Sequence, residues 1–140
     1  MDVVTGQVTL LRYIVSEDCG PMINPNVVEG QIAGGVVQGI GGVLYEHLAY
    51  DDHGNPVATT FMDYLLPTAA EVPTLEYGHV ETPSPGPGGY KGVGEGGAIG
   101  APPAVVNAVA DALAPFGVRV TDLPLSPSRL VALLHERRDH

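Results

Sequence analysis

The chain is poor in cysteine, in basic side chains and in long apolar runs, and each shortage removes a class of function. A single cysteine, Cys19, leaves no internal disulfide and suits a reducing compartment, so a cytoplasmic location is expected. Only 6 Lys and Arg stand against 16 Asp and Glu, for a net charge of -10. A surface of that sign offers no electrostatic footprint for nucleic acid or an anionic membrane. No apolar run approaches the ~20 residues needed to span a bilayer. Met1-Asp2-Val3-Val4-Thr5-Gly6 has neither the basic start nor the apolar core of a signal peptide. None of the five histidines has ligand-like spacing to another, so no metal ligand is expected.

What is present points to a folded domain. The chain has 140 residues and is 44 % hydrophobic, which suits one unit with a modest core rather than a disordered tail. Gly 19 and Pro 13 together exceed a fifth of it, an unusual share outside collagen-like or low-complexity sequence. They sit inside well-patterned segments, as they would where backbone passes close to a cofactor or a partner surface.

Val3-Val4 and Gln7 to Val15 read as two strands joined by Thr5-Gly6, and Ser16 to Pro21 as a loop. Asn24 offers a helix N-cap and Pro25 a first-turn residue, which predicts a helix from about Pro25 to about His47. Val28, Ile32, Val36, Val43 and Leu44 mark its apolar face, with Ile40 and Leu48 beside it. Six glycines lie within it, each costing roughly 1 kcal/mol against Ala. Such a helix needs close packing on other protein, much of it outside this chain. Asp51 to Asn55 is a turn, Val57 to Met62 and Leu75 to Glu81 read as strands, and Thr82 to Tyr90 as a Pro/Gly-rich loop. A helix is expected around Pro102, a short strand at Gly117 to Asp122, and a terminal helix opened by Ser126-Pro127, with Arg129, Arg137 and Arg138 suited to its C-terminal end. The fold class is α+β, with small mixed or antiparallel sheet elements, one long Gly-rich helix, a helix after the glycine loop and a C-terminal helix.

The most informative segment is Lys91-Gly92-Val93-Gly94-Glu95-Gly96-Gly97, a lone carboxylate where four of seven residues are glycine. Backbone with so little side-chain bulk can approach a bound group closely. Two other readings compete. A Glu beside a helix N-terminus is favoured by the macrodipole, about 0.3–1 kcal/mol, with no chemistry implied. Gly92, Gly94 and Gly97 also satisfy G-x-G-x-x-G, with Asp122 ending a strand downstream. The Pro/Gly-rich lead-in, the late helix start imposed by Pro102-Pro103 and the negative charge of Glu95 argue against a dinucleotide site. Gln38 reads as structural, Cys19 as a small buried or loop residue, His47, His53 and His79 as surface or turn residues, and Asp51, Asp52, Glu71 and Glu76 as a solvated acidic face.

Several motifs in order carry a resemblance. Asp18-Cys19-Gly20-Pro21-Met22-Ile23-Asn24-Pro25, Val28 to Gly41, Phe61-Met62-Asp63-Tyr64-Leu65-Leu66-Pro67, Glu81-Thr82-Pro83-Ser84-Pro85, Lys91 to Glu95 and Gly100 to Ala108 are together similar to the C-terminal part of the molybdenum hydroxylase large subunit. This is the xanthine dehydrogenase and aldehyde oxidase family, with the aerobic carbon monoxide dehydrogenase large chain as the branch that the motifs most resemble. The resemblance covers nearly the whole chain, so residues 1–140 are read as one C-terminal segment of a molybdopterin-binding catalytic domain. It implies molybdenum in molybdopterin cytosine dinucleotide, shared with the rest of the large subunit, and iron–sulfur and FAD centres on partner subunits. It implies that Glu95 is the general base that deprotonates a molybdenum-bound hydroxyl, a role favoured if partial burial raises its pKa. Lys91, Gly92, Val93 and Gly94 would be the backbone shelf for the cofactor. Family large chains are several times longer, and the substrate-selecting loop lies N-terminal to anything here, so substrate is not legible. The alternative is a non-catalytic remnant or interaction module of the same fold.

Overall fold

Two helices that touch through glycine organise this protein, seen in a computed structural model that describes residues 1–137. The order is β1 (Arg12–Glu17), α1 (Pro25–Leu44), β2 (Thr74–His79), α2 (Gly96–Leu113) and α3 (Pro127–Glu136). Short 3-10 turns lie at Pro87–Gly89 and Ala114–Phe116. The class is α+β, as expected.

α1 begins where the sequence directs. Asn24 is extended, its side-chain oxygen accepts from the Val27 N–H at 3.4 Å, and Pro25 opens the first turn. The helix ends at Leu44, short of His47, where the Tyr45 and Glu46 amides both donate to the Gly41 carbonyl. Its buried stripe is Val28, Ile32, Val36, Ile40, Val43 and Leu44, so Ile40 belongs to the core face, whereas Leu48 is exposed. α2 answers with Gly97, Ala101, Val105, Val109 and Leu113, one residue in four along a single face. Leu125, Leu130 and Leu134 close the far side, and the Leu125 N–H donates to the Val43 carbonyl at 2.6 Å.

The glycines explain how closely the two helices approach. A Cβ on Gly97 would stand 2.3 Å from the Ile32 carbonyl oxygen, and one on Gly35 2.7 Å from the Ala98 nitrogen. A Cβ on Gly39 would meet Ala101 Cβ at 2.5 Å and Pro102 Cδ at 2.9 Å. Part of the packing that the glycine-rich helix requires is therefore supplied from within the chain. Gly30, Gly34 and Gly42 face open space, with nothing within 4 Å.

This contact also corrects the expected start of α2. The helix begins at Gly96, not near Pro102, and both prolines lie inside it. An interior Pro costs about 3 kcal/mol and deprives the carbonyl four residues earlier of its partner. Burial of Val105, Val109 and Leu113 contributes on that same scale, about 1.5–3 kcal/mol each. Packing of Gly97, Ala101 and Pro102 on α1 holds the first turn in register against the prolines' preference.

The sheet is a two-stranded parallel pair, in register from Arg12 opposite Thr74 to Glu17 opposite His79, rather than mixed or antiparallel. Parallel strands require a long crossover, and α1 lies on it. The expected strands at Val3-Val4, Val57 to Met62 and Gly117 to Asp122 do not form, and the Gln7 to Val15 strand is shifted to Arg12–Glu17. At 57–62 the cause is local. The Thr60 hydroxyl accepts from the Met62 N–H and donates to Asp63, while its carbonyl takes the Asp63 and Tyr64 amides, so the backbone is committed to a turn. Ser126 caps α3 as expected, accepting from the Arg129 N–H at 3.3 Å; Arg138 lies outside the described residues.

By length and composition α1 and Gly96–Phe116 could each cross a bilayer, with mean hydropathies of 1.3 and 1.2. The expectation that no segment nears that threshold is thereby corrected. In this structure each buries its apolar stripe against the other helix and the core.

Alanine at Gly97 should destabilise the fold by about 1–3 kcal/mol through overpacking against backbone. Alanine at Gly42, exposed within α1, should stabilise it by about 0.5–1 kcal/mol. Denaturant unfolding of the two variants checks the contrast, and shifts of the same sign would refute the packing account.

Candidate active site

β1 ends at Glu17, and the next residue, Asp18, gathers the chain around it. Its carboxylate accepts from the Gly20 N–H at 2.9 Å and from Lys91 Nζ at 2.7 Å, and also from the Thr82 hydroxyl. Lys91 Nζ donates to Thr82 Oγ1 at 2.5 Å, and the Lys91 N–H donates to the Cys19 carbonyl at 2.8 Å. The Gly20 turn completes the junction: its φ is +65°, and a Cβ there would stand 2.3 Å from the Gly89 carbonyl oxygen. His79, ending β2, sets Nε2 3.0 Å from the Gly20 carbonyl oxygen. The Lys91 ammonium, and behind it the Thr82 hydroxyl and the Gly20 amide, hold the Asp18 carboxyl far below the usual carboxylate range.

From this junction Gly92-Val93-Gly94 carries the chain to Glu95. On the far side Gln31 of α1 donates from Nε2 to the Gly94 carbonyl at 2.7 Å. Glu95 then takes the N-cap position of α2, yet its side chain makes no capping hydrogen bond. A carboxylate placed there for helix stability would accept from the amides two or three residues on. Glu95 is exposed and instead lines a cleft of about 560 Å³ with Gly30, Gln31, Gly34, Gly35, Gln38, Gly94, Ala98 and Ile99. The described residues leave this carboxylate exposed, so the partial burial that would favour the base role is not found among them.

The five residues singled out in the sequence thus divide. Gly94 and Glu95 line this cleft. Lys91 and Val93 line a second, apolar one of about 260 Å³, with Cys19, Met22, Ile23, Val27 and Tyr90. Gly92 lies between them, and neither it nor Gly94 would meet an atom within 4 Å if given a Cβ. Gln38, read as structural, lines the Glu95 cleft. Cys19 is buried, 3 % exposed. No strand runs directly into Gly92, since β2 ends at His79, which removes the dinucleotide reading even though the helix starts early.

Two residues were missed in the sequence. Gln31 had no local signal, because its partner is 63 residues away. Glu17 lies against Gly96, where a Cβ would come within 1.8 Å of its carboxylate oxygen, and burial raises its pKa. Glu17 and Gly96 are far apart in sequence, so no local signal marks their contact. Among the described residues no group of three His, Cys, Asp or Glu side chains gathers as a metal site.

Comparison with known proteins decides the family. A sequence profile for the molybdopterin cofactor-binding domain matches residues 1–73. The chain belongs to that family. It is 53 % identical over 132 residues to the nicotine 6-hydroxylase large subunit of Paenarthrobacter nicotinovorans, covering 94 % of this chain and 16 % of that protein. Quinoline 2-oxidoreductase from Pseudomonas putida 86 superposes with a TM-score of 0.90 at 51 % identity, over 92 % of this chain and 16 % of that one. The Cu,Mo-CO dehydrogenase superposes with a TM-score of 0.94 at 38 % identity, over 100 % of this chain and 18 % of that one. The chain therefore corresponds to part of a molybdenum hydroxylase large subunit, and spans about a sixth of the length of the relatives it matches.

The depressed Asp18 carboxyl gives a signed pH dependence. Its contribution to stability is complete above the ordinary value of 3.8 and is lost as pH falls from there through its folded value. Asp18→Asn should flatten the acid limb of the stability profile below about pH 4, leaving its shape above that unchanged. Thermal unfolding across pH tests this; an acid limb as steep as that of the parent would refute it.

Proposed function

We propose that this chain supplies the glutamate-bearing wall of a molybdenum hydroxylase active site, with Glu95 as the general base. The observation that carries the reading is a carboxylate at a helix N-cap that caps nothing and faces a glycine-lined cleft. The cleft suits a large planar group. Gly30 and Gly34 add no side chain to its α1 side, and Gly92 and Gly94 add none to the approach to Glu95. Gln31 and Gln38 bring amide groups to the cleft, able to donate and accept at ring edges.

In this reading a molybdopterin, in its cytosine dinucleotide form, would supply the oxygen-transfer and two-electron chemistry when bound. The backbone of Lys91, Gly92, Val93 and Gly94 would form the shelf beneath it. Gln31, by fixing the Gly94 carbonyl, holds the residue before Glu95 in place. Glu95 would accept a proton at its carboxylate as substrate is attacked. The remaining large-subunit region would close the cleft and exclude water, providing the burial that tunes a carboxylate toward the base role. Electrons would leave through iron–sulfur and FAD subunits in a cytoplasmic complex. Identities above 50 % to proteins named for nicotine and quinoline favour an N-heteroaromatic ring as the first substrate class to try.

A role in association without catalysis draws on a different observation. Phe61 and Met62 are 80 % and 89 % exposed, next to half-exposed Leu65 and Leu66, and apolar surface of this kind marks contact with other protein. The two readings part on turnover. Alone, the chain should bind no molybdenum and show none. Assembled with the remaining large-subunit region and its redox partners, Glu95→Gln should lower dye reduction by about 10²- to 10⁴-fold while metal analysis finds molybdenum retained. Turnover equal to that of the parent assembly would refute Glu95 as base.

A further inference from the structure

We propose that Asp18, Thr82 and Lys91 form a positioning lock that sets where the Glu95 loop stands, an inference that rests on Glu95 acting as base. Three segments meet in it, 64 and 73 residues from Asp18 along the chain. The lock is made twice over. The Lys91 side chain reaches Asp18 at 2.7 Å and Thr82 at 2.5 Å, while the Lys91 amide is held by the Cys19 carbonyl at 2.8 Å. Asp18 is itself fixed by the Gly20 amide at 2.9 Å and the Thr82 amide at 3.2 Å. The Asp18 and Lys91 side chains are only 27 % and 34 % exposed, so the pair is shielded more than an ordinary surface ion pair.

The need for a lock follows from the link it controls. Gly92 and Gly94 have no side chains to pack, and nothing stands within 4 Å of where a Cβ would be. A glycine link has little conformational preference of its own, so its course is set by its anchors. Gln31 holds the end beside Glu95, at the Gly94 carbonyl, and the lock holds the beginning. The lock also engages the ammonium of Lys91. An ammonium four residues before Glu95 and free to swing could compete for the carboxylate that has to accept a proton; here it is held by Asp18 and Thr82. The side chain of Lys91 is thus a positioning group, and any part it plays toward a cofactor passes through its backbone.

The test uses the chain assembled with the remaining large-subunit region and its redox partners. Lys91→Met and Asp18→Asn should each lower kcat by about 10- to 100-fold, as misplacement of a reacting group does. KM should stay within about twofold, and molybdenum content should not change. The double variant should be no slower than the worse single, because both remove one device. Amide exchange in peptides spanning residues 91–96 should accelerate in both single variants, with protection elsewhere preserved. Unchanged kcat and exchange in Lys91→Met, or multiplied losses in the double variant, would overturn the lock. If a variant loses molybdenum, Thr82→Val, which removes only the hydroxyl, is read by the same measurements. Glu95→Gln separates the two ideas. If it retains turnover the base reading fails, and the exchange measurement still decides whether Asp18 and Lys91 hold the loop.

Discussion

The structure depends on one close approach, between the backbones of α1 and α2 at Gly35 and Gly97. With 2.3 Å between a hypothetical Gly97 Cβ and the Ile32 oxygen, the helices touch as closely as main chains allow. That contact decides where α2 begins, and Glu95 therefore occupies its N-cap although two prolines follow within the same helix. It also aligns the aliphatic stripes from Val28 to Val43 and from Val105 to Leu113, which form most of the core. The glycines thus serve two physical ends. Gly35, Gly39 and Gly97 let protein meet protein, whereas Gly30, Gly34, Gly92 and Gly94 leave open space among the described residues.

Those two uses explain what could be read in the sequence. The Asn24-Pro25 and Ser126-Pro127 helix starts were legible because a cap and a first-turn proline are local signals. The apolar stripe of α1 was legible as a repeat of nearly four, and the Glu95 loop as a departure in composition. The start of α2 was not, because proline's local preference was opposed by packing against a helix some 60 residues earlier. The direction of the β1–β2 pair was hidden for a similar reason, since strand patterning carries no sign. The Val57–Met62 run misled because β-branched composition was counted and the Thr60 hydroxyl's local bonding was not. Of the site, Glu95 and its glycines stood out, while Gln31, Glu17 and the roles of Asp18 and Thr82 arise only when distant segments meet.

Charge is distributed as sharply as packing. Among the described residues no polar or charged side chain is buried, and every core position is apolar. The chain's chemistry therefore lies at its surface, where the middle of α1 and the start of α2 border the Glu95 cleft. The family, and the small share of each relative that this chain covers, make such openness intelligible. A wall of an active site need not be an enclosure.

The paired strands have a consequence of the same kind. Two parallel strands alone leave both outer edges with main-chain donors and acceptors turned outward, and isolated parallel pairs with exposed faces are rare. Arg12 and Glu76, 3.7 Å apart and well exposed, place opposite charges across the pair. β1 and β2 are thus a seam: extended backbone paired in register, joined by hydrogen bonding where the helices rely on shape.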